Sequence, residues 1–438
     1  MRSLLALFLM TTAAHALTVD DAINLALSKQ KGNVHQRAQR EQAAAAHDTA
    51  KSARSRQLFT LHASEEWQYF DCPYAISFTT LTAACQNDLP ASDTPPLIER
   101  EQKTNTFVIS ATQPLLGLLR LHAATNAEEA NAASVDESVN ADEAKLVEGI
   151  RNGFLKYFEA VAAEGVASDS EKELTDQLGV AKSREAAGTI TVADRLRVQV
   201  ALANAHQQKV QAHAQAEIAR MNVLDTVGLS VEDDSIQLEE PTKLLADAAT
   251  AAPERGAATN DAIARRPELR QAKLQLDAAD AAHKAQQFAM LPDVDLEAAY
   301  TRIDGQILSP KNSYFVGVRA QWTFWTAGAD YYQQRAAEHK KHAAELAFED
   351  SRRHVTVEVR TAYANLDAAT SAVTAATEAI DSANEAYRVM TKLVEAGNAT
   401  TTDLLSAEAE LTTARLNLSR SKYEQAIARV TLRRLTGD

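Results

Sequence analysis

Two aspartates stand at spacings that could do chemistry in this 438-residue chain. Asp194 and Asp403 each lie three places after a threonine, Thr191 and Thr400, which in turn follow Gly188 and Gly397 by three. A Thr-x-x-Asp spacing is that of a capping box, in which each side chain accepts a hydrogen bond from the other residue's backbone N–H. The carboxylate also complements the positive end of the helix it opens. Repeated around an oligomer, Asp194 and Asp403 would form a carboxylate ring that attracts cations and disfavours anions at a narrow mouth.

Other candidates carry less. His339 and His342 are three apart and His206 and His213 seven apart, but no third ligand converges on either pair, so solvated helix faces explain them. Cys72 and Cys85 are the only cysteines. In an exported protein they are expected to form a disulfide that staples a loop tip. The chain contains no G-x-x-x-x-G-K-[ST] loop, no G-x-G-x-x-G, no H-E-x-x-H and no serine elbow, so neither catalysis nor a cofactor nor a metal is expected. A net charge of −14 argues against nucleic acid as a partner.

The elements that position the two aspartates are long helices. Val359, Leu366, Val373, Ile380, Tyr387 and Val394 recur every seven residues, with Ala362, Ala369, Ala376, Ala383 and Met390 three places behind. That is an a/d seam of large and small residues, which asks for a close coiled-coil neighbour. From Val355 to Val394 it would extend about 60 Å at ~1.5 Å per residue. Gly397 suits the left-handed residue that ends one helix, and Thr400 the cap of the next, so a tight hairpin is expected. A shift of 209 places Gly397, Thr400, Asp403 and Leu405 on Gly188, Thr191, Asp194 and Leu196. The same shift places Ile427-Ala428-Arg429 on Ile218-Ala219-Arg220, Val359-Arg360 on Ile150-Arg151, Tyr363 on Phe154 and Gly437 on Gly228. The chain is therefore read as two copies of one unit, 17–228 and 261–438, joined by an acidic connector, 229–260, with a short strand near Ser235–Leu238.

Each copy opens with a helix. The first is expected to run from a Thr18/Asp21 capping box to about Arg56, the second from Asp261 to about Leu291. The period then changes from 3.5 to 2. Strands are expected at ~58–70 and ~104–113 in the first copy, and at ~293–303 and ~313–325 in the second. About ten residues each is the length that crosses a bilayer as tilted β-structure. Trp67, Tyr69, Tyr300, Tyr314, Trp322 and Trp325 fall in these strands, where amphipathic rings suit a membrane interface. Four strands cannot close a barrel, for which about eight is the lower limit, so several chains must contribute.

Residues 1–16 read as a cleaved signal peptide: Arg2, the apolar run Leu4–Met10, and Ala14-His15-Ala16 as cleavage site. No cysteine follows that site, so a lipid anchor is not expected.

Four features together resemble the TolC family of outer-membrane factors: the opening Leu17-Thr18-Val19-Asp20-Asp21-Ala22-Ile23, Arg266-Pro267-Glu268-Leu269, Gln113-Pro114-Leu115-Leu116-Gly117, and the two G-x-x-T-x-x-D-x-L hairpin ends. The resemblance covers essentially the whole mature chain. It implies a mainly α fold with a small β-barrel contribution: a homotrimer whose chains each give four strands to one twelve-stranded transmembrane barrel, above a long coiled-coil α-barrel. It further implies an exit duct for small molecules or polypeptides in an outer-membrane efflux or type I secretion system. The hairpin ends would dock a periplasmic adaptor coupled to an inner-membrane pump of RND, ABC or MFS type. Val394 and Ala399 stand where some members carry a gating tyrosine and arginine, so that lock is not expected here. The competing reading is a periplasmic coiled-coil structural or adaptor protein, which would carry one hairpin rather than two alternating with strand pairs.

Overall fold

Alanine-rich runs free of internal proline become long helices, because alanine loses no side-chain freedom on ordering. The computed structural model describes residues 16–28, 32–76, 83–85, 98–306 and 310–437; the expected signal peptide, except Ala16, lies outside them. In chain order the helices are α1 (Val19–Ala26), α2 (Val34–Ser55), α3 (Gly117–Ala186), α4 (Val192–Val227), α5 (Thr242–Ala248), α6 (Arg255–Arg265), α7 (Pro267–Phe288), α8 (Ala329–Glu395) and α9 (Thr401–Thr436). The strands are β1 (Thr60–Tyr69), β2 (Tyr74–Ile76), β3 (Ala83–Cys85), β4 (Ile98–Pro114), β5 (Asp293–Gln306) and β6 (Asn312–Gln321). α4 and α9 are both 36 residues long, each capped by threonine and ended by a left-handed glycine, Gly228 or Gly437.

Both opening helices are divided, where one continuous helix was expected. Asn33 separates α1 from α2: its N–H donates to the Ala26 carbonyl at 3.0 Å, and its side-chain oxygen accepts from the His35 N–H at 2.9 Å. In the second copy the helix begins earlier than Asp261, at Arg255, because the Glu254 carboxylate accepts from the N–H groups of Gly256 and Ala257. It breaks at Arg266, which Pro267 forces into an extended backbone.

The strands also depart from expectation. β4 starts at Ile98 rather than near 104, and β5 continues through Asp304-Gly305 instead of turning there. Gly305 has φ of +94°, and a Cβ on it would meet the Lys103 carbonyl at 2.7 Å, so only glycine lets the strand pass. β6 stops at Gln321, short of 325, which leaves Trp322 and Trp325 beyond the strand. The expected strand near Ser235–Leu238 is a single parallel bridge between Leu17 and Leu238.

The described chain forms two compact units. One gathers the chain up to Glu41, Glu137–Arg270 and the chain from Glu349 onward; the other holds Gln42–Asp136 and Gln271–Phe348. The hydrophobic clusters lie in the first unit, and two of them use equivalent positions of the two copies. Ile150, Phe154 and Val223 pack with Ala22, while their counterparts Val359, Tyr363 and Leu432 pack with Ala262. A third cluster joins Leu155 to Ala248, Tyr423, Ala426 and Val430. The second unit holds the sheet.

The duplicated core makes a stability prediction. Phe154 is fully buried, so Phe154→Ala should cost about 3–5 kcal/mol in a denaturant titration of the detergent-solubilised protein. Tyr363→Phe should cost only about 1 kcal/mol, because it removes just the hydroxyl that donates to the Pro253 carbonyl at 2.9 Å.

Candidate functional site

The hairpin ends are built alike. Gly188 and Gly397 have φ of +72° and +76°. In the first, Thr189 N–H donates to the Arg184 carbonyl at 2.9 Å and Gly188 N–H to that of Glu185 at 2.9 Å. In the second, Asn398 N–H reaches the Leu393 carbonyl at 2.8 Å and Gly397 N–H that of Val394 at 3.2 Å. This double bond pattern closes a helix through one left-handed residue. Thr191 and Asp194 then cap α4 reciprocally, as Thr400 and Asp403 cap α9. Leu196 is half exposed and Leu405 partly buried in the first turns of those helices.

The electrostatics of the two ends differ. The Thr191 hydroxyl and N–H, then Arg197, hold the Asp194 carboxyl below its ordinary range, and the Thr400 hydroxyl and N–H do the same for Asp403. Arg197 pairs with Asp194 at 3.1 Å and donates to the Thr402 hydroxyl at 3.3 Å, tying one hairpin to the other. Among the described residues Asp403 has no basic partner. Arg184 completes the bridge by donating to the Val394 carbonyl at 3.2 Å.

The sheet is the second candidate. β1 pairs with β4, β4 with β5 and β5 with β6, all antiparallel, and directly paired residues share a face. One face carries the row Leu61, Ala111, Ala298, Val316 and the row Ala63, Ile109, Tyr300, Tyr314. The other carries Thr60, Thr112, Glu297, Gly317, then His62, Ser110, Ala299, Phe315, then Ser64, Val108, Thr301, Ser313. Over these rows one face is apolar and the other largely polar; the next row on the apolar side, Glu65, Phe107, Arg302 and Asn312, is polar but for Phe107. Neither face of β1 is covered, and Tyr314 and Val316 on β6 are 83% and 75% exposed. Among the described residues the outer edges of β1 and β6 have no partner strand.

Trp67 and Tyr69 lie at the end of β1, both largely exposed, while Tyr300 and Tyr314 stack across β5 and β6 with ring centroids 5.3 Å apart. Trp322 and Trp325 are exposed below β6, and the Trp322 indole N–H donates to the Met290 carbonyl at 3.3 Å. Cys72 and Cys85 are joined by a disulfide between the segment after β1 and β3. The histidines do not converge: His206 faces Glu171 at 2.7 Å, His213 faces Glu164 at 3.0 Å, and His342 faces Glu345 on its own helix.

Sequence reasoning missed two buried arginines, although both were landmarks of the repeat. Arg220 donates to the carbonyls of Asp233 and Ile236, and its counterpart Arg429 donates to the Thr250 hydroxyl and the Ala251 carbonyl. Each is over 90% buried and fastens a part of the connector. The signal was present: a cation at the same place in both copies, amid apolar positions.

Comparison with known proteins follows from this geometry. A protein family described as "Outer membrane efflux protein" matches residues 80–229 and 258–438. The outer membrane efflux protein BepC of Brucella suis biovar 1 is 24% identical over 289 residues, which span 64% of this chain and 61% of BepC. The chain therefore aligns to under two-thirds of that relative's length. The outer membrane protein VceC from Vibrio cholerae shares the fold with a TM-score of 0.80 at 16% identity, covering 96% of each chain. The open-state MtrE outer membrane channel of Neisseria gonorrhoeae shares it with a TM-score of 0.76 at 16% identity, covering 96% of this chain and 88% of MtrE.

Two predictions rest on these sites. Both capping carboxylates have lowered pKa values in the folded chain, so their contribution is complete above the ordinary aspartate range and is lost as pH falls through the lowered value. A spin label at Ala187 or Ala399 should therefore keep its mobility down to about pH 4 and loosen only below it. On the sheet, Val316→Arg should cost about 2–4 kcal/mol of membrane assembly, whereas Ser110→Arg on the opposite face should not. The amount of oligomer recovered from outer membranes measures both.

Proposed function

The chain belongs to the outer membrane efflux protein family, and on that premise we propose that it is the passive exit duct of a tripartite efflux or type I secretion assembly. The observation that carries this reading is a sheet apolar on one face and polar on the other, with both long edges open. The apolar face would meet lipid and the polar face would line water. The open edges would pair with the next copies, three chains closing a barrel of twelve strands.

In this reading Trp67, Tyr69, Tyr300, Tyr314, Trp322 and Trp325 sit at the membrane interfaces, where rings with one polar end are favoured. Trp322 supports the assignment with its indole bonded to a backbone carbonyl just outside the strands. No described helix is long and apolar enough to cross a membrane. In this reading it is the sheet that crosses.

The hairpin ends would be the periplasmic mouth. Gly188, Thr191, Asp194 and Leu196 with Gly397, Thr400, Asp403 and Leu405 would receive a periplasmic adaptor, itself coupled to an inner-membrane pump. Energy would come from that pump, and this chain would supply a water-filled path with a gated end. Of the acidic ring, Asp403 would contribute more field than Asp194, whose charge Arg197 shares. An N-terminal signal would direct export, and the outer membrane would be the destination.

The test uses the two left-handed glycines. Gly188→Val and Gly397→Val place a β-branched residue where the backbone has positive φ, which strains the turn by about 1–2 kcal/mol or more. Export, read as drug susceptibility of cells that depend on this duct, should be lost while a detergent-stable oligomer still assembles in the outer membrane. Unchanged export would remove the hairpin ends from the mouth. A wild-type chain that stays monomeric and dissolves without detergent would remove the duct.

A further inference from the structure

Between the two hairpins of the first unit, from beside the hairpin ends at Ile190 and Glu395 up to Glu173 on α3, lies a cavity of about 280 Å³. Val180, Ala181, Ile190, Val198, Val394 and Leu404 give it apolar walls. Its polar lining is Glu173, Asp176 and Gln177 from α3, Tyr387, Thr391 and Glu395 from α8, Thr401 from α9, and Arg184.

Three of the donors among these groups are engaged within the chain. Gln177 donates through Nε2 to the Tyr387 hydroxyl at 3.0 Å, Arg184 donates to the Val394 carbonyl, and the Thr391 hydroxyl donates to the Tyr387 carbonyl at 2.9 Å. Two of the acceptors are not. Glu173 takes Arg415 on Oε1 at 3.0 Å, but its Oε2 is buried without a hydrogen-bond partner, and so is Oε1 of Gln177. The two residues stand four apart on one face of α3, neighbours on the helix surface. A buried acceptor left without a donor is unfavourable, so the pair calls for an occupant that donates. Asp176 and Glu395 add negative charge at the open side, so that occupant should also be a cation.

We propose that this cavity binds a primary amine with a small aromatic or alkyl body. A primary ammonium has three donors and no acceptor, which complements Glu173 Oε2 and Gln177 Oε1. Its apolar body would lie against Val180, Ala181, Val198 and Leu404, with the Tyr387 ring offering a π face to the charge. Because α3 and α4 belong to one hairpin and α8 and α9 to the other, the occupant ties the two together. All of the walls come from one chain, so the site stands independently of the duct reading.

Titration calorimetry on the full-length protein in detergent at pH 7 tests this, with 2-phenylethylammonium chloride as probe and 2-phenylethanol as its neutral counterpart. The amine should saturate one site per chain and bind at least about tenfold more tightly than the alcohol. Glu173→Gln should weaken the amine by about tenfold or more and leave the alcohol unchanged. Gln177→Leu, which keeps the Glu173–Arg415 pair, should weaken it in the same direction. No saturable amine binding to the wild type, equal affinity for amine and alcohol, or undiminished amine binding by both variants would each overturn the proposal.

Discussion

A backbone N–H or C=O inside hydrocarbon has no water to bond, so a strand that enters lipid must be paired along both edges. The sheet of this protein has the apolar face that lipid favours, yet β1 and β6 each present an open edge. Its four long strands, β1, β4, β5 and β6, also fall well short of the number that can curl round to meet. The chain alone therefore leaves the hydrogen-bonding groups along those edges unpaired, and the proposed association with further copies would pair them. Tyr314, Val316 and Leu61 on the apolar face are likewise exposed in the single chain.

The helical unit solves a different problem with duplicated parts. Its two cores use equivalent positions, Phe154 matching Tyr363 and Val223 matching Leu432. Two equivalent arginines, Arg220 and Arg429, reach from those helices to hold the connector. A guanidinium suits this task because its planar fork of donors can satisfy several carbonyls at once without leaving an acceptor of its own unpaired. Duplication has not kept the hairpin ends identical. Asp194 shares its charge with Arg197, while Asp403 keeps its charge beyond the cap, so the two ends offer different fields from the same backbone.

The fold persists in these solved structures at 16% identity, with TM-scores of 0.76 and 0.80. Long coiled-coil helices tolerate this drift because they require alternating large and small seam residues and correct ends, rather than particular side chains. The ends themselves ask for little: a left-handed glycine, a threonine cap and an aspartate three places on. That economy also explains why each motif is weak alone and specific only in its order and repeat spacing.

Periodicity and end chemistry were legible in the residues themselves. The seven-residue seam, the two-residue alternation and the Gly-x-x-Thr-x-x-Asp ends specify helix, strand and hairpin through local geometry, and the 209-residue repeat follows from comparing the chain with itself. The break at Asn33, the persistence of β5 through Gly305 and the end of β6 before Trp322 were not legible. They depend on partners distant in sequence: the Thr226 carbonyl that takes the Asn33 side-chain N–H, the Lys103 carbonyl beside Gly305, and the Met290 carbonyl that takes the Trp322 indole. Nor could periodicity say that Arg220 and Arg429 turn inward, since a helical position looks the same whether its neighbour is water or a connector carbonyl. Local pattern determined which elements form; only tertiary packing decided where they stop and which polar groups they bury, because those outcomes turn on atoms that the chain brings together from far apart.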